Sequence, residues 1–181
     1  MNLHDWIDEL CDALDLDGEM TFALWVRATD PAAFFGTLLS KREVSTQQMN
    51  YQLAVMPEWH AGGRELQFGA GQDDDAIAGF AYSPASGRLA SPGWHHLVIT
   101  TDGQTIRYYI DGQPVHRQPQ PLPALVNHAP LLIGTSRADL PFPLAGGAMP
   151  FHGDISEVLI AKRAFTETEI QALYDNSRAT P

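Results

Sequence analysis

The stretch WHHLVITTDGQTIRYYIDGQPV, Trp94 to Val115, decides the fold class of this chain. Residues 95–100 favour a strand, and residues 105–110 favour a second one. Asp102-Gly103 between them is a strong signal for a tight hairpin turn, and Asp111-Gly112 marks the next turn. Short strands separated by turns at this spacing indicate an antiparallel β-sandwich.

The rest of the chain continues this pattern of short strands. Two alternating segments, residues 51–55 and 65–69, predict a hairpin whose tip is residues 56–64. Thr166 and Glu169 form a capping box that predicts a C-terminal helix. The expected fold is all-β, an antiparallel two-sheet β-sandwich with short N-terminal and C-terminal helices. Further strands are expected at Phe22–Val26, Gly36–Ser40, Leu131–Gly134 and Gly153–Ala161.

The first segment of the chain has the periodicity of an amphipathic helix. Such an apolar stripe is expected to pack on the sandwich or to join copies of the chain into a homo-oligomer. The predicted organisation is an N-terminal helical extension, residues 1–20, followed by one sandwich domain, residues 21–181. The residues that recur on one helical face are Leu3, Trp6, Ile7, Leu10, Cys11 and Leu14.

The composition narrows the classes of partner. The 181 residues include 11 Lys and Arg against 22 Asp and Glu, and the net charge of −11 disfavours nucleic acid and anionic membranes. No apolar run is long enough to span a bilayer. No signal peptide is visible, so the chain is expected in the cytoplasm or within a larger assembly. With Cys11 as its single cysteine, the chain has no intrachain disulfide.

Six short motifs, taken in their order, resemble those of laminin G-like jelly-roll domains in the concanavalin A-like lectin/glucanase superfamily. The resemblance covers residues 21–176. It implies a scaffold built to bind rather than to catalyse, in a family that often binds Ca²⁺ at the rim of the sandwich. The motifs are Phe22–Val26, Leu38–Lys41, Gly93–Val98, Thr101–Gly112, Phe151–Val158 and Arg163–Ile170.

Two features depart from the pattern of that family. Ser156 stands where the family usually has Asp, so this position lacks the carboxylate that could bind a cation or a turn. Residues 13–18 resemble the family's first strand, but they overlap the predicted N-terminal helix. At this stage both interpretations of residues 13–18 stay open.

The sequence contains no recognisable catalytic motif. Glucanases of the superfamily carry carboxylates in a Glu-x-Asp-x-x-Glu arrangement, and the nearest segment, Asp154–Glu157, lacks that spacing. His95 and His96 are adjacent on a predicted strand, so they face opposite sides and cannot bind one metal together. Trp25 and Trp94 lie in apolar strands and are expected to pack in the core.

The predicted hairpin tip carries the candidate ligand-binding residues, Glu58, Trp59 and His60. An aromatic ring in a polar turn is not needed for the core, and such a ring can stack on the C–H surface of a sugar. The alternatives are that Trp59 folds back onto the sandwich or contacts another subunit.

A dense acidic loop, Asp73, Asp74 and Asp75, is the candidate metal site. Hard cations take several oxygen ligands, which makes Ca²⁺ the one candidate cofactor. The alternative is an ordinary solvated loop.

These features predict a non-catalytic binding module, with a glycan as its first candidate partner. The alternative is a structural or assembly adaptor that binds protein, within a larger particle and with the N-terminal helix as the docking element. A glucanase is a third hypothesis, which lacks its motif.

Overall fold

The computed structural model describes residues 13–29, 36–43, 48–56, 64–72, 80–119, 125–136 and 150–177. These residues form ten strands, a short 3-10 turn at Arg88–Ala90 and one α-helix, α1, at Glu167–Ser177. The strands in chain order are β1 (Glu19–Ala28), β2 (Gly36–Glu43), β3 (Gln48–Val55), β4 (Arg64–Gln72), β5 (Phe80–Pro84), β6 (His95–Asp102), β7 (Thr105–Ile110), β8 (Gln113–Pro119), β9 (Leu132–Ile133) and β10 (Gly153–Ala161).

The strands form two five-stranded sheets. Sheet A has the order β10-β1-β6-β7-β8, and sheet B has the order β5-β4-β3-β2-β9. All pairings between these strands are antiparallel, which confirms the predicted fold class. The Asp102-Gly103 hairpin also forms as predicted, because the Asp102 carboxylate accepts hydrogen bonds from the backbone N–H groups of Gln104 and Thr105 at 3.0 and 2.8 Å.

The core lies between the two sheets. Alternate residues of each strand point inward, and the side chains of Phe22 and Tyr108 from sheet A and of Tyr51 and Phe68 from sheet B are fully buried. The ring of Phe22 lies 4.8 Å from that of Tyr51 and 5.8 Å from that of Phe68, centroid to centroid. Since burying one such side chain is worth roughly 1.5–3 kcal/mol, these contacts hold the two sheets face to face.

Helix α1 covers the outer face of sheet A. Its predicted capping box forms, with Thr166 N–H donating to Glu169 Oε2 at 2.8 Å and Glu169 N–H donating to Thr166 Oγ1 at 3.3 Å. Ile170 is fully buried against Ala23, Val98 and Tyr109 of the sheet. In the described part of the chain, no helix has the length and apolar character that crossing a membrane requires.

The segment before β1 has an irregular conformation. Residues 15–17 belong to neither helix nor strand, so neither interpretation of residues 13–18 holds at its centre. The side-chain amide of Asn50 accepts from Leu16 N–H at 2.9 Å and donates to Leu16 C=O at 2.8 Å, which satisfies both backbone groups as a neighbouring strand would. Leu16 and Met20 are part of the core.

Most of the predicted N-terminal helix lies outside the described residues. Residues 1–12, which include all of the apolar stripe except Leu14, belong to this part. The helix and its role in a homo-oligomer therefore stay predictions.

Candidate functional site

The predicted ligand-binding and metal-binding residues lie outside the described residues. Glu58, Trp59 and His60 belong to the segment between β3 and β4, and Asp73, Asp74 and Asp75 belong to the segment between β4 and β5. The predicted β3–β4 hairpin itself is confirmed, with Val55 opposite Leu66 and Leu53 opposite Phe68. The roles of the six side chains stay predictions.

The positions of the two segments in the fold separate the two predicted sites. One segment enters β4 at Arg64, and the other leaves it at Gln72. At about 3.3 Å per residue, the two ends of this strand lie roughly 26 Å apart. The Trp59 site and the acidic site are therefore attached to opposite ends of sheet B.

The outer face of sheet B carries polar side chains near the Trp59 end. Gln67 on β4 is the cross-strand partner of Tyr82 on β5, and both point away from the core because their neighbours Phe68 and Ala81 point into it. Gln67 Nε2 donates a hydrogen bond to the Tyr82 hydroxyl at 3.0 Å. Tyr82 is half-buried, so its ring reaches the surface of the domain.

Gln52 is the diagonal neighbour of Gln67 on the same face. It lies opposite Gly69, which has no side chain, and the ring of Phe80 occupies the space where a Cβ of residue 69 would be. The side chain of Gln52 is buried, and its Oε1 has no hydrogen-bond partner among the described residues. We refer to Gln52, Gln67, Phe80 and Tyr82 as the sheet B face.

Sequence reasoning missed the sheet B face. The signal was the alternation in residues 51–55 and 65–69, where every second side chain is apolar and the others include Gln52 and Gln67. Tyr82 could not be assigned to this face because its strand, β5, was not predicted.

One hydrogen-bond network resembles a catalytic triad in its residue types, with Ser91, His95 and Asp111 in the places of nucleophile, base and orienting carboxylate. Its hydrogen bonds indicate a structural role instead. His95 Nδ1 lies 3.0 Å from Asp111 Oδ2, and its Nε2 lies 2.9 Å from the Ser91 carbonyl oxygen and 3.2 Å from Ser91 Oγ. The hydrogen bond that His95 donates to the Asp111 carboxylate raises the pKa of His95. With an acceptor at each ring nitrogen, the imidazolium form fits best, and it has no lone pair to take a proton from Ser91.

His96 faces the opposite side of the strand, as predicted. Its ring packs 5.1 Å from the ring of Trp25 and 5.8 Å from that of Tyr174 on α1. Burial lowers the pKa of His96 to about 4, so the side chain is neutral at physiological pH. Trp25 is buried, but on the outer side of sheet A beneath the helix, where its Nε1 donates to Ser177 Oγ at 2.9 Å.

The buried Lys41 is also structural. Its ammonium group lies 2.5 Å from Asp15 Oδ1 and donates to the Asn127 carbonyl oxygen at 2.6 Å. Burial, followed by the charge of Asp15, raises the pKa of the neighbouring Tyr51. Lys41 thus ties the segment before β1 to sheet B, and removing either charge would leave the other buried and unpaired.

The carboxylates of residues 154–157 do not form a catalytic pair. Asp154 accepts from both Nε and NH2 of Arg27, at 3.0 and 2.8 Å. Glu157 is exposed in a β-bulge, with a φ of 50°. The Arg27 guanidinium also lies 4.9 Å from the ring centroid of Trp94, which is half-buried rather than in the core as expected.

The described residues contain no cluster that fits a metal. No three Asp, Glu, His or Cys side chains among them come together as ligands. The Asp73–Asp75 loop, which lies outside the described residues, stays the predicted place for Ca²⁺.

Solved structures with the same fold include several modules of carbohydrate-active proteins. Domain 4 of an extracellular arabinanase, AbnA, from Geobacillus stearothermophilus, in complex with arabinotriose, matches at 18% identity and a TM-score of 0.61, covering 90% of this chain and 69% of that one. The CBM40 of the Ruminococcus gnavus IT-sialidase, bound to α2,3-sialyllactose, matches at 13% identity and a TM-score of 0.61, covering 90% and 85%.

A heptameric SAP-like pentraxin from Limulus polyphemus matches at 14% identity and a TM-score of 0.63, covering 89% of this chain and 71% of that one. At these identities the likenesses show the fold alone. None of the curated proteins matches the sequence.

A family model gives the stronger assignment. The laminin G-like model, described as the concanavalin A-like lectin/glucanases superfamily, matches residues 7–171, which is most of the chain and includes both sheets and the start of α1. Together with the two antiparallel sheets and their order, this match shows that the chain belongs to the laminin G-like domains of the concanavalin A-like lectin/glucanase superfamily.

Proposed function

We propose that this chain is a non-catalytic carbohydrate-binding module that binds a glycan at the end of sheet B where residues 57–63 connect β3 to β4. The observation that carries the proposal is the Gln67–Tyr82 pair, in which an amide and a phenol are held together at 3.0 Å on the outer face of the sheet. Trp59 belongs to the adjoining connection and is the proposed stacking residue, with Glu58 and His60 beside it.

The chemistry of this pair suits a sugar. The phenol of the half-buried Tyr82 offers a donor and an acceptor to a sugar hydroxyl, and the buried Gln67 amide holds the phenol in place. Aromatic rings supply apolar area at little cost in conformational entropy. Two proteins of the same fold were solved with oligosaccharides bound, which supports the proposal.

Two features support a binding role over a catalytic one. Asp154 is occupied by Arg27, and both ring nitrogens of His95 face hydrogen-bond acceptors. Neither group is therefore placed to exchange protons with a substrate.

A glycan array followed by titration calorimetry tests the proposal. We expect Trp59→Ala to weaken binding of the array hit by more than tenfold, and Tyr82→Phe to weaken it by about fivefold to tenfold, because a single neutral hydrogen bond is worth roughly 1 kcal/mol. Tyr174→Phe, which removes a hydroxyl on the α1 side of the sandwich, is the matched control and should bind normally. Melting temperatures of Trp59→Ala and Tyr174→Phe should stay close to that of the wild type, and Tyr82→Phe, which loses the hydrogen bond from Gln67, should lose no more than about 1 kcal/mol of stability.

Three results would contradict this assignment. Equal loss in Tyr82→Phe and Tyr174→Phe would show that the sheet B face is not the site. A large loss of stability in Trp59→Ala would place that ring in the core or at a subunit contact. An array without hits, together with an oligomeric mass that falls on deletion of residues 1–12, would favour the assembly adaptor.

A further inference from the structure

A cleft on the other side of the sandwich has the features of a second binding site. It lies on the outer face of sheet A between β7, β8 and the start of α1, and it has a volume of about 260 Å³. Arg107, Tyr109, His116, Arg117 and Glu167 line it. Tyr109 is buried beneath α1, so it forms the floor of the cleft.

Two arginines face each other across this cleft. Arg107 and Arg117 are direct cross-strand partners, and they lie on the outer face because Arg107 is two residues from Tyr109. Like charges in directly opposite positions destabilise a hairpin. Their pairing is notable in a chain with only 11 basic residues and a net charge of −11.

Only one of the two charges is compensated within the described residues. Arg107 NH2 lies 2.8 Å from Asp102 Oδ2. Arg117 makes no hydrogen bond or ion pair with any residue that the structure describes, and it is exposed. Its guanidinium therefore offers a complete fork of donors to an incoming anion.

We propose that this cleft binds the carboxylate of an acidic sugar. Arg117 takes the carboxylate, beside its cross-strand neighbour Arg107, which Asp102 holds in place. The Glu167 carboxylate and the Tyr109 hydroxyl, which line the same cleft, take the hydroxyl groups of the same sugar ring. The volume lies just below the range of about 300–1,000 Å³ typical of drug-sized ligands, which suits a single sugar residue.

The surroundings of the cleft disfavour other anions. A phosphate carries more negative charge than a carboxylate, so Glu167 and the net charge of −11 repel it more strongly. An acidic peptide would bring several carboxylates towards Glu167. Such a peptide also gains little from pairing with the edge strand β8, because Pro114 and Pro119 within that strand have no N–H to donate.

This site is independent of the glycan site proposed above. The cleft belongs to the outer face of sheet A, and the sheet B face lies on the opposite side of the core. Variants of Tyr82 or Trp59 should therefore leave it unchanged, and variants of Arg117 should leave the array binding unchanged.

Titration of the intact chain with glucuronate, monitored by calorimetry at low ionic strength, tests the inference. We expect saturable binding in the millimolar range and no binding of glucose. Arg117→Gln should weaken glucuronate binding by about tenfold to a hundredfold, because a hydrogen bond to a charged group is lost. Arg88→Gln is the matched control, since it removes the charge of another exposed arginine and should leave the affinity unchanged.

Arg117→Lys keeps the positive charge but removes the paired donors of the guanidinium, so it should lose part of the affinity for glucuronate. The inference is overturned if glucose binds as well as glucuronate, if Arg117→Gln binds normally, or if Arg88→Gln is impaired to the same extent. Binding of inorganic phosphate or of a poly-glutamate peptide in preference to glucuronate would also overturn it. The melting temperature of each variant shows whether the fold is retained.

Discussion

The two sheets of this sandwich have similar inner faces and different outer faces. The outer face of sheet A presents Ala23, Val98 and Tyr109, which pack under Ile170 of α1. The outer face of sheet B presents Gln52 and Gln67 at corresponding central positions. The apolar outer face of sheet A is covered by the chain's own helix, which adds to stability. On the sheet B face Gln52, Gln67 and Phe80 are buried as well, and the half-buried Tyr82 reaches the surface.

Each outer face also contains a buried polar atom without a hydrogen-bond partner among the described residues. Gln67 is paired with Tyr82, but Gln52 Oε1 is buried without a partner among the described residues. A buried acceptor without a donor costs about 1–3 kcal/mol. Beneath α1, His96 Nδ1 is likewise buried without a partner among the described residues, so both outer faces carry a cost of this kind.

The largest expected effect on stability comes from a substitution at the apolar contact between α1 and sheet A. Ile170→Ala should lower the free energy of unfolding by about 2–5 kcal/mol, because Ile170 is fully buried between α1 and sheet A. Ile133→Ala is the matched control and should change it by less than about 0.5 kcal/mol, since Ile133 is 52% exposed. Urea unfolding of both variants measures the difference, and similar losses would mean that α1 contributes little to the fold.

The contrast between the faces could be predicted from the sequence only where its signals are local. The Asp102-Gly103 hairpin and the capping box at Thr166 depend on residues within a few positions of one another, and both formed as predicted. Strand β8 was missed because Pro114 and Pro119 argue against a strand. Its place at the edge of sheet A, where a proline is tolerated, is a property of the whole sheet.

The sites depend still more on contacts between distant residues. Gln67 and Tyr82 are 15 residues apart in the sequence. Lys41 on β2 pairs with Asp15, which lies in the segment before β1. The cleft between Arg107, Arg117 and Glu167 requires the start of α1 to lie beside β7 and β8. Spacing in a single sequence does not reveal which of these polar residues meet.

An intermediate effect on stability is expected from the protonation of His96, on the outer face of sheet A. Burial lowers the pKa of His96 to about 4 from its ordinary value of 6.5, so the native state excludes a proton that the unfolded chain binds. Above pH 6.5 His96 is neutral in both states and does not lower the free energy of unfolding. As the pH falls from 6.5 through 4, the preference of the unfolded chain for the proton lowers that free energy by about 3 kcal/mol in total. His96→Phe should remove this part of the pH dependence and keep the packing against Trp25 and Tyr174.

Urea unfolding at pH 7 and pH 4.5 measures this difference for both proteins. The other titrating groups, including the His95–Asp111 pair, are common to the wild type and the variant, so their contribution cancels in the comparison. Parallel losses of stability in the two proteins on acidification would show that His96 is protonated in the native state.

The smallest expected effects on stability come from two substitutions on the sheet B face. Gln52→Met replaces an unsatisfied amide with an apolar side chain of similar length, and we expect it to raise the free energy of unfolding by about 1 kcal/mol. Gln67→Met makes the same change where the amide donates to Tyr82, so it should lower that energy by about 1 kcal/mol. Both variants should bind glycan more weakly. Opposite shifts in the urea midpoint with a shared loss of binding are the expected result, and a loss of stability in Gln52→Met would instead give Gln52 a structural role.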